Sequence, residues 1–216
     1  MDAWAALSHR RAVTAQDDGI FDAEITPVPL PDGGVVSADD CPRRGTNAQT
    51  LAELKPVFRP DGRVTAGNSC PLNDGAAAAV VMSDALAARL GIRPLARIVS
   101  TAVSALDPEI MGLGPVEASR RALTRAGMAI SDIDLIEINE AFAAQLLPSA
   151  RALGVPEDRL NIHGGAIALG HPFGMTGVRI LVTLLNALRR SGGTIGLETM
   201  CVGGGQGMAM VLERLG

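Results

Sequence analysis

The chain has 216 residues, of which 47% are hydrophobic, and a formal net charge of −4, which suffices for a buried core in one large domain or two small ones. Acidic and basic residues are interspersed without a broad basic face, which argues against a nucleic-acid partner. No signal-peptide pattern follows Met1, and charge or glycine interrupts every apolar stretch, so we expect no membrane span and a cytoplasmic protein. The three cysteines form no CxxC pair, which favours reduced thiols and argues against a zinc site or other metal site.

The first part of the chain is predicted to be largely irregular. Apolar residues at helical spacing predict a helix over residues 2–18. Residues 21–71 are rich in Pro, Gly and Asp, with short strand-like pieces at 24–28 and 35–37. An alanine-rich run then predicts a buried helix over residues 73–90, ended by a glycine.

Beyond Pro94 the pattern becomes regular and alternates between strands and helices, which predicts an α/β layer fold. Gly114 and Pro115 form a loop followed by a proline suited to the first helical position. The predicted elements are strand 95–105, helix 116–126, strand 135–138, helix 141–153, strand 160–163, helix 176–190 and strands 194–201 and 208–212.

Two glycine-rich segments place one reactive side chain each at the end of an apolar run. The first, NIHGGAIALGHPFGMTG over residues 161–177, contains His171, and the second, TMCVGGGQG over residues 199–207, contains Cys201. A thiol beside an imidazole suits acyl or proton transfer, because the thiolate is the reactive form and the imidazole favours it. Glycines allow a bulky thioester to approach the backbone. These residues therefore predict thiol-based chemistry.

Simpler roles are open for these side chains. His171 could be satisfied by backbone carbonyls, Cys201 could be a small core residue, and Asn139 in IEINEAFAAQ could cap the following helix. Two further histidines are predicted to be structural: His9 on the polar face of the first helix, and His163, which makes structural hydrogen bonds beside a glycine pair.

The two glycine-rich segments and IEINEAFAAQ closely resemble the C-terminal half of the thiolases, which make or cleave 3-ketoacyl-CoA thioesters. The resemblance runs over the whole chain and implies a thiolase-like α/β fold. It implies that His171 activates a nucleophilic cysteine and contributes a hydrogen bond to the thioester oxygen. Cys201 would be the acid/base thiol that moves the α-proton, and the Gly203 N–H would help to form an oxyanion hole. Asn139 would hold a water that polarises the thioester carbonyl.

The resemblance also implies that the substrates are coenzyme A thioesters and that no metal or redox cofactor is needed. Relatives carry serine where this chain has Cys70, and a thiol is a poorer hydrogen-bond partner than a hydroxyl. Phe142 could close the acyl pocket or belong to the plain core. The positions that resemble CoA-contacting ones are Arg43, Thr50, Ala66, Cys70, Leu72 and Phe142.

The resemblance divides the chain into three parts. Residues 1–71 correspond to part of the loop domain that covers CoA, residues 72–92 to a helix of the N-terminal thiolase domain, and residues 93–216 to the C-terminal domain, a single mixed-sheet α/β unit. The cysteine that thiolases acylate lies in the family's N-terminal half, upstream of this match, and Cys41 and Cys70 fall in other segments. We therefore expect activity to require a thiolase N-terminal half, with that half or a second copy of the chain as partner. A non-catalytic CoA-binding module and an inactive fragment are the alternatives.

Overall fold

The computed structural model describes all 216 residues. The predicted first helix is confirmed to within one residue, whereas the two strand-like pieces shrink to a two-residue ladder and residues 20–23 form a 3-10 turn. The elements of the N-terminal part are α1 (Asp2–Asp17), β1 (Val28–Pro29), β2 (Val35–Val36), α2 (Ala48–Ala52) and α3 (Asp84–Leu90).

Helix α1 packs against the C-terminal part of the chain through small side chains and one large one. Trp4 is buried in the same hydrophobic cluster as the sheet, while Ala12 belongs to a second cluster. The backbone at Gly164 approaches α1 so closely that a Cβ there would lie 2.6 Å from the carbonyl oxygen of Ser8. Glycine is therefore required at this contact, and the N-terminal helix shares one core with the sheet.

The predicted alternation of strands and helices is confirmed in the C-terminal part, apart from one strand. Its elements are β3 (Ala96–Ala105), α4 (Gly114–Ala126), β4 (Leu135–Ile138), α5 (Ala143–Leu153), α6 (Ala166–Leu169), α7 (Thr176–Ser191), β5 (Ile195–Val202) and β6 (Gln206–Arg214). The missing strand is the one predicted over residues 160–163. Leu160 makes only an isolated parallel bridge to Ile136, and the chain turns away at Asn161, whose φ is 46°.

The four longer strands form a mixed sheet in the order β3-β6-β5-β4. Strands β4 and β5 are parallel and the other pairs are antiparallel. Because β4 and β5 run in the same direction, their carboxyl ends lie at the same edge of the sheet. This geometry brings the residues that follow Ile138 close to those that follow Thr199, its partner in the register.

Alternate residues of β4 and β5 face the two covered sides of the sheet. Ile136 and Leu197 belong to the main core with α4 and α5, whereas Leu135 and Leu212 pack against α7. Period-two alternation then turns Glu137 toward α7 as well. The sheet is therefore covered on both faces at β4 and β5, whereas alternate residues of β3 are exposed. Helix α7 covers a face that carries an acidic side chain.

The predicted buried helix over residues 73–90 is wrong for most of its length. Only α3 is helical, and residues 73–83 have no regular secondary structure. The helix begins where the Ser83 hydroxyl accepts a first-turn N–H at 3.2 Å, as expected of an N-cap. The preceding segment is largely exposed, with Val80 at 85% and Val81 at 76%. Helices depend mainly on packing of an apolar face, and this chain offers that segment no such surface.

The predictions for two structural histidines need correction. His9 is buried rather than on a polar face, and its Nδ1 accepts the N–H of Arg43 at 3.1 Å. Burial, followed by the charge of Arg43, lowers the pKa of His9 to about 4. His163 is predicted to make structural hydrogen bonds, but its buried Nε2 has no hydrogen-bond partner. His9 therefore has a different structural role, which is to hold the segment at Arg43 against α1.

Candidate active site

Asn139 is fixed from both sides at the end of β4. Its N–H donates to the carbonyl oxygen of Thr199 at 2.9 Å. On the other side the Asn161 side chain takes the place of a neighbouring strand: its Oδ1 accepts the Ile138 N–H at 2.9 Å, and its Nδ2 donates to the Ile138 carbonyl at 2.8 Å. Helix α5 begins only at Ala143 and has no side-chain cap. Asn139 does not cap it, and its side chain is available for another role.

His171 meets Asn139 at this edge of the sheet. The His171 Nε2 lies 3.2 Å from the Asn139 Nδ2, and its Nδ1 lies 2.6 Å from the Thr176 Oγ1. The backbone N–H of His171 donates to Asn73 Oδ1 at 3.0 Å, and the Phe173 ring stands edge-on to the imidazole at 5.1 Å. His171 is thus held by contacts to both ring nitrogens and to its backbone N–H.

The glycine before His171 permits this arrangement. Gly170 has φ 93°, a conformation that L side chains rarely adopt. A Cβ at Gly170 would lie 2.2 Å from the Asn73 Nδ2. Both the backbone conformation and the space therefore favour glycine, which lets Asn73 approach the His171 backbone.

Cys201 is the penultimate residue of the neighbouring strand β5. It lies two residues beyond Thr199 in β5, so it is at the same sheet edge as Asn139. Its side chain is buried, and burial raises the pKa of the Cys201 thiol to about 11, with a smaller upward effect from Cys70 and an opposing one from a backbone N–H. Cys201 does not line the cleft described next. The approach of its sulfur to the imidazole stays a prediction.

An open cleft of about 400 Å³ lies beside His171. Its walls come from two segments, the stretch after Cys70 and the loop before α7, and Leu72 on one wall is 96% exposed. Burial, followed by the charge of Arg179, lowers the pKa of His171, so the imidazole facing the cleft is neutral at pH 7. The lining residues are Leu72, Asn73, Asp74, His171, Pro172 and Phe173.

Some of the residues predicted to contact CoA are near this site. Leu72 lines the cleft, and the Cys70 N–H donates to the Ala141 carbonyl at 3.1 Å, next to Phe142. The Phe142 ring packs edge-on against Phe58 at 5.9 Å. Burial raises the pKa of the Cys70 thiol. Leu72 therefore lies at the cleft, while Cys70 lies beside Ala141 and Phe142.

The other predicted ligand positions are farther along the N-terminal part and do not line the cleft. Arg43 follows the segment held by His9, Thr50 is an exposed residue of α2 whose Oγ1 donates to the Asn47 carbonyl at 3.0 Å, and Ala66 begins a 3-10 turn. Gly203 is exposed in the loop between β5 and β6, with open space beside its Cα. The ligand roles of Arg43, Thr50 and Ala66 and the oxyanion-hole role of Gly203 stay predictions.

Sequence reasoning missed three residues that organise the site. Asn73 and Thr176 hold His171, and Asn161 holds the strand end before Asn139. A hydroxyl five residues after a histidine carries no periodic signal, and Asn73 is distant in sequence. Asn161 is the one non-glycine residue of the chain with a positive φ, and asparagine tolerates that conformation.

Two structural findings bear on other classes of function. No helix of the chain combines the length and apolarity required to cross a bilayer. No group of three or more His, Cys, Asp or Glu side chains is arranged to hold a metal ion.

Comparison with known proteins matches the whole length of the chain to one family. The family model described as "Thiolase, N-terminal domain" matches residues 1–85, and the one described as "Thiolase, C-terminal domain" matches residues 92–214. The chain is 50% identical to an acetyl-CoA acetyltransferase of Escherichia coli (strain K12), with 99% of this chain and 55% of that protein covered. The chain therefore spans about 55% of the length of the curated relatives that it matches.

Solved structures give the same result. The crystal structure of the Bacillus anthracis acetyl-CoA acetyltransferase matches with a TM-score of 0.97 and 45% identity, over 99% of this chain and 55% of that one. Human mitochondrial 3-ketoacyl-CoA thiolase in complex with CoA matches with a TM-score of 0.91 and 40% identity, over 99% of this chain and 54% of that one. With a mixed α/β fold and both family domains matched in order, the chain belongs to the thiolase family.

Proposed function

We propose that this chain contributes one part of the active site of a thiolase-type acyl-CoA C-acyltransferase, and that the acylated cysteine comes from a polypeptide segment outside it. The reaction would be thiolysis of a 3-ketoacyl-CoA or the reverse condensation of acetyl-CoA. The observation that carries the proposal is the contact between the Asn139 side chain and the His171 Nε2 at 3.2 Å. It lies beside an open cleft and at the sheet edge where Cys201 is the penultimate residue of β5.

His171 is suited to accept a proton from a thiol. Its lowered pKa keeps the imidazole neutral near pH 7, which leaves a lone pair on one ring nitrogen. A general base must lie within hydrogen-bond reach of the proton that it takes, and the cleft gives an incoming thiol access to the ring. The proposed role of His171 is therefore to activate the cysteine that accepts the acyl group and then to stabilise the thioester oxygen.

Cys201 is suited to give a proton. Its pKa of about 11 keeps the thiol protonated at pH 7. In thiolysis, the outside cysteine, whose proton His171 takes, attacks the 3-keto carbonyl. The C–C bond breaks, and the electron pair left on the departing α-carbon takes the Cys201 proton, which releases one acyl-CoA. A CoA thiol then gives its proton to the Cys201 thiolate and takes the acyl group from the cysteine, whose thiolate takes back the proton held by His171. Condensation runs these steps in reverse. The Gly203 N–H is the proposed donor to the charge that develops on the CoA-side carbonyl oxygen, because such donors act most strongly where charge develops.

The residues that we propose for CoA are those predicted from the sequence, from Arg43 to Phe142. The human relative was crystallised with CoA, and the present chain aligns with 54% of it. Leu72 lines the cleft beside His171, and Phe142 follows Ala141, whose carbonyl accepts the Cys70 N–H. The thioester arm of CoA would pass along these side chains to reach His171. No resident cofactor takes part in the proposed reaction.

The proposal is tested by supplying the missing nucleophile. The chain, a thiolase N-terminal segment, and the two co-expressed are assayed for CoA-dependent cleavage of acetoacetyl-CoA, with mass spectrometry of the acylated protein. We expect turnover only from the pair, and we expect His171→Asn and Cys201→Ser each to lower it about 100-fold or more. Cys41→Ser is the matched control, which should leave turnover unchanged.

Three outcomes would count against the proposal. Turnover by the chain alone through acetyl-Cys41 or acetyl-Cys70 would refute the need for an outside cysteine. Measurable CoA binding with no turnover in any mixture would favour a non-catalytic CoA-binding module. Neither binding nor turnover would favour an inactive fragment.

A further inference from the structure

The imidazole of His171 is contacted at both nitrogens, and hydrogen bonds link the side chains of Asn139, His171 and Thr176 in a row. Asn139 Nδ2 lies 3.2 Å from Nε2, and Thr176 Oγ1 lies 2.6 Å from Nδ1. The Thr176 hydroxyl also lies 3.0 Å from the Pro172 carbonyl oxygen, to which it donates. Thr176 is fully buried at the start of α7, so its hydroxyl is shielded from water.

A donor and an acceptor can be assigned to each of these hydrogen bonds. The Asn139 Nδ2 group only donates, so the Nε2 that it faces accepts. A neutral imidazole then carries its proton on Nδ1. The Thr176 oxygen must accept that proton at 2.6 Å, and the one hydroxyl proton of Thr176 goes to the Pro172 carbonyl. Every contact then has one donor and one acceptor.

The start of α7 holds the hydroxyl in this orientation. The Pro172 carbonyl also accepts the backbone N–H groups of Met175 at 2.9 Å and Thr176 at 3.1 Å, so the turn between the histidine and the helix is closed by three hydrogen bonds. The Thr176 oxygen is thereby fixed relative to the ring. Burial, followed by the charge of Arg179, lowers the pKa of His171. For the neutral ring, the choice of tautomer decides which nitrogen is basic.

We propose that Thr176 is a positioning residue that selects the tautomer of His171 protonated on Nδ1, so that Nε2 is the nitrogen able to accept a proton at the sheet edge. This inference rests on the proposed function for its consequence, since the nitrogen that takes the proton of an incoming thiol must be unprotonated. Without the Thr176 oxygen, a proton on Nδ1 would be buried and unpaired, which is costly. The ring would then favour a proton on Nε2, and the base would be blocked.

The test compares Thr176→Val, which keeps the shape and removes the oxygen, with Thr176→Ser, which keeps the oxygen. Histidine side chains are labelled with ¹⁵N, and two-bond ¹H–¹⁵N correlations above pH 7 identify the protonated nitrogen of His171. The chain has three histidines, and His171→Asn identifies the signals. The measurement is made on the chain in the assembly that keeps it in solution, alone or with the N-terminal segment.

We expect the wild type and Thr176→Ser to carry the proton on Nδ1, and Thr176→Val to shift the ratio toward Nε2–H about tenfold or more. With the N-terminal segment present, we expect Thr176→Val to lower turnover by a similar factor and Thr176→Ser to restore it. A wild-type proton on Nε2, with Asn139 presenting its oxygen, would overturn the proposal, as would an unchanged tautomer in Thr176→Val. A shifted tautomer without turnover in any mixture would uphold the positioning role and refute the proposed function instead.

Discussion

Burial decides the protonation state of the two reactive side chains of the site. It raises the pKa of the Cys201 thiol to about 11 and lowers that of His171, because both charged forms lose contact with water. Near pH 7 the side chains are a thiol and a neutral imidazole. In these states the Cys201 thiol can donate a proton and the His171 imidazole can accept one, without either side chain first ionising.

The raised pKa of Cys201 predicts slow alkylation. We expect iodoacetamide to modify Cys201 more slowly than Cys41 at pH 7, because Cys201 is buried and its thiolate fraction is small. The Cys201 rate should rise about tenfold per pH unit between pH 7 and 9, in proportion to the thiolate. Peptide mass spectrometry over a time course measures both rates in one sample. Fast labelling of Cys201 at pH 7 would contradict the assignment of its protonation state.

Two glutamates on the α7 side of the sheet predict a pH-dependent stability. Glu137 and Glu198 are register partners on β4 and β5. Burial raises the pKa of each to about 8, opposed by Arg179, and for Glu137 the charges of Glu140, Glu24 and Glu198 add to the rise. The folded state therefore holds protons that the unfolded state releases near its ordinary pKa of 4.5. The stability that these groups contribute is complete below that pH and is lost as the pH rises to about 8.

We expect the free energy of unfolding to fall between pH 6.5 and 8, and Glu198→Gln to reduce that fall by up to about 1.4 kcal/mol per pH unit. All three histidines have a lowered pKa in the folded state. Near pH 6.5 the unfolded state therefore binds more of their protons, which opposes this fall, but the contribution fades by about pH 7.5 and is shared by the wild type and the variant. Urea unfolding at several pH values measures the slope, with the exposed Glu109→Gln as control. Equal slopes for Glu198→Gln and the wild type would contradict the prediction.

At the scale of elements, one carboxylate connects the N-terminal helix to the site. Glu140 accepts hydrogen bonds from Trp4 Nε1 at 2.9 Å and from the Ser8 hydroxyl at 2.7 Å, both on α1. It also accepts from Asn161 Nδ2 at 3.1 Å and from the Ile167 N–H at 3.0 Å. A fully buried carboxylate with four donors is satisfied. Glu140 therefore joins α1, the end of β4 and the start of α6.

Removing this carboxylate should release α1. We expect Glu140→Ala to lower the free energy of unfolding by about 3–5 kcal/mol, because it leaves several buried donors without an acceptor. Glu109→Ala, at an exposed position, should change it by less than about 0.5 kcal/mol. Trp4 is the one tryptophan of the chain and touches Glu140, so its fluorescence reports the docking of α1. A Glu140→Ala protein with wild-type stability and emission would refute this anchoring role.

At the scale of the whole molecule, apolar side chains are left uncovered. Besides Val80 and Val81 in the irregular segment 73–83, Leu72, Phe173 and Phe58 are exposed by 96%, 80% and 68%. Soluble monomers seldom expose large contiguous apolar patches. Residues 73–83 do not form the predicted helix, and their exposed apolar side chains leave a surface that a partner could cover.

We expect the chain alone to self-associate or aggregate, and co-expression with a thiolase N-terminal segment to increase its soluble yield. Replacing both Val80 and Val81 by serine should reduce self-association, while Val28→Ser, at an exposed position in the small β1–β2 ladder, should not. Sedimentation velocity at micromolar concentration measures the association state. A compact, cooperatively unfolding wild-type monomer would contradict the prediction and favour an independent binding module.

Elements with a buried face were predictable, because burial imposes a period on the sequence. Helices α1, α4 and α7 and strands β3, β4, β5 and β6 lie within a few residues of their predicted bounds. The irregular conformation of the alanine-rich segment 73–83 was not predictable, because its composition suits a helix but the chain provides nothing for a helix to pack on. The predicted strand at 160–163 failed because Asn161 leaves the strand conformation and hydrogen-bonds to β4 through its side chain.

The sequence by itself determined the family and predicted the residue types of the candidate site, because the glycine-rich segments around His171 and Cys201 and the NEAF segment after β4 are local patterns. Only the tertiary structure decided what surrounds those residues. Thr176 and Asn73 hold His171 through contacts created by a turn and by a segment 98 residues away, and such contacts leave no period in the sequence. Protonation states likewise depend on burial and on neighbouring charges, which exist only once the chain has folded.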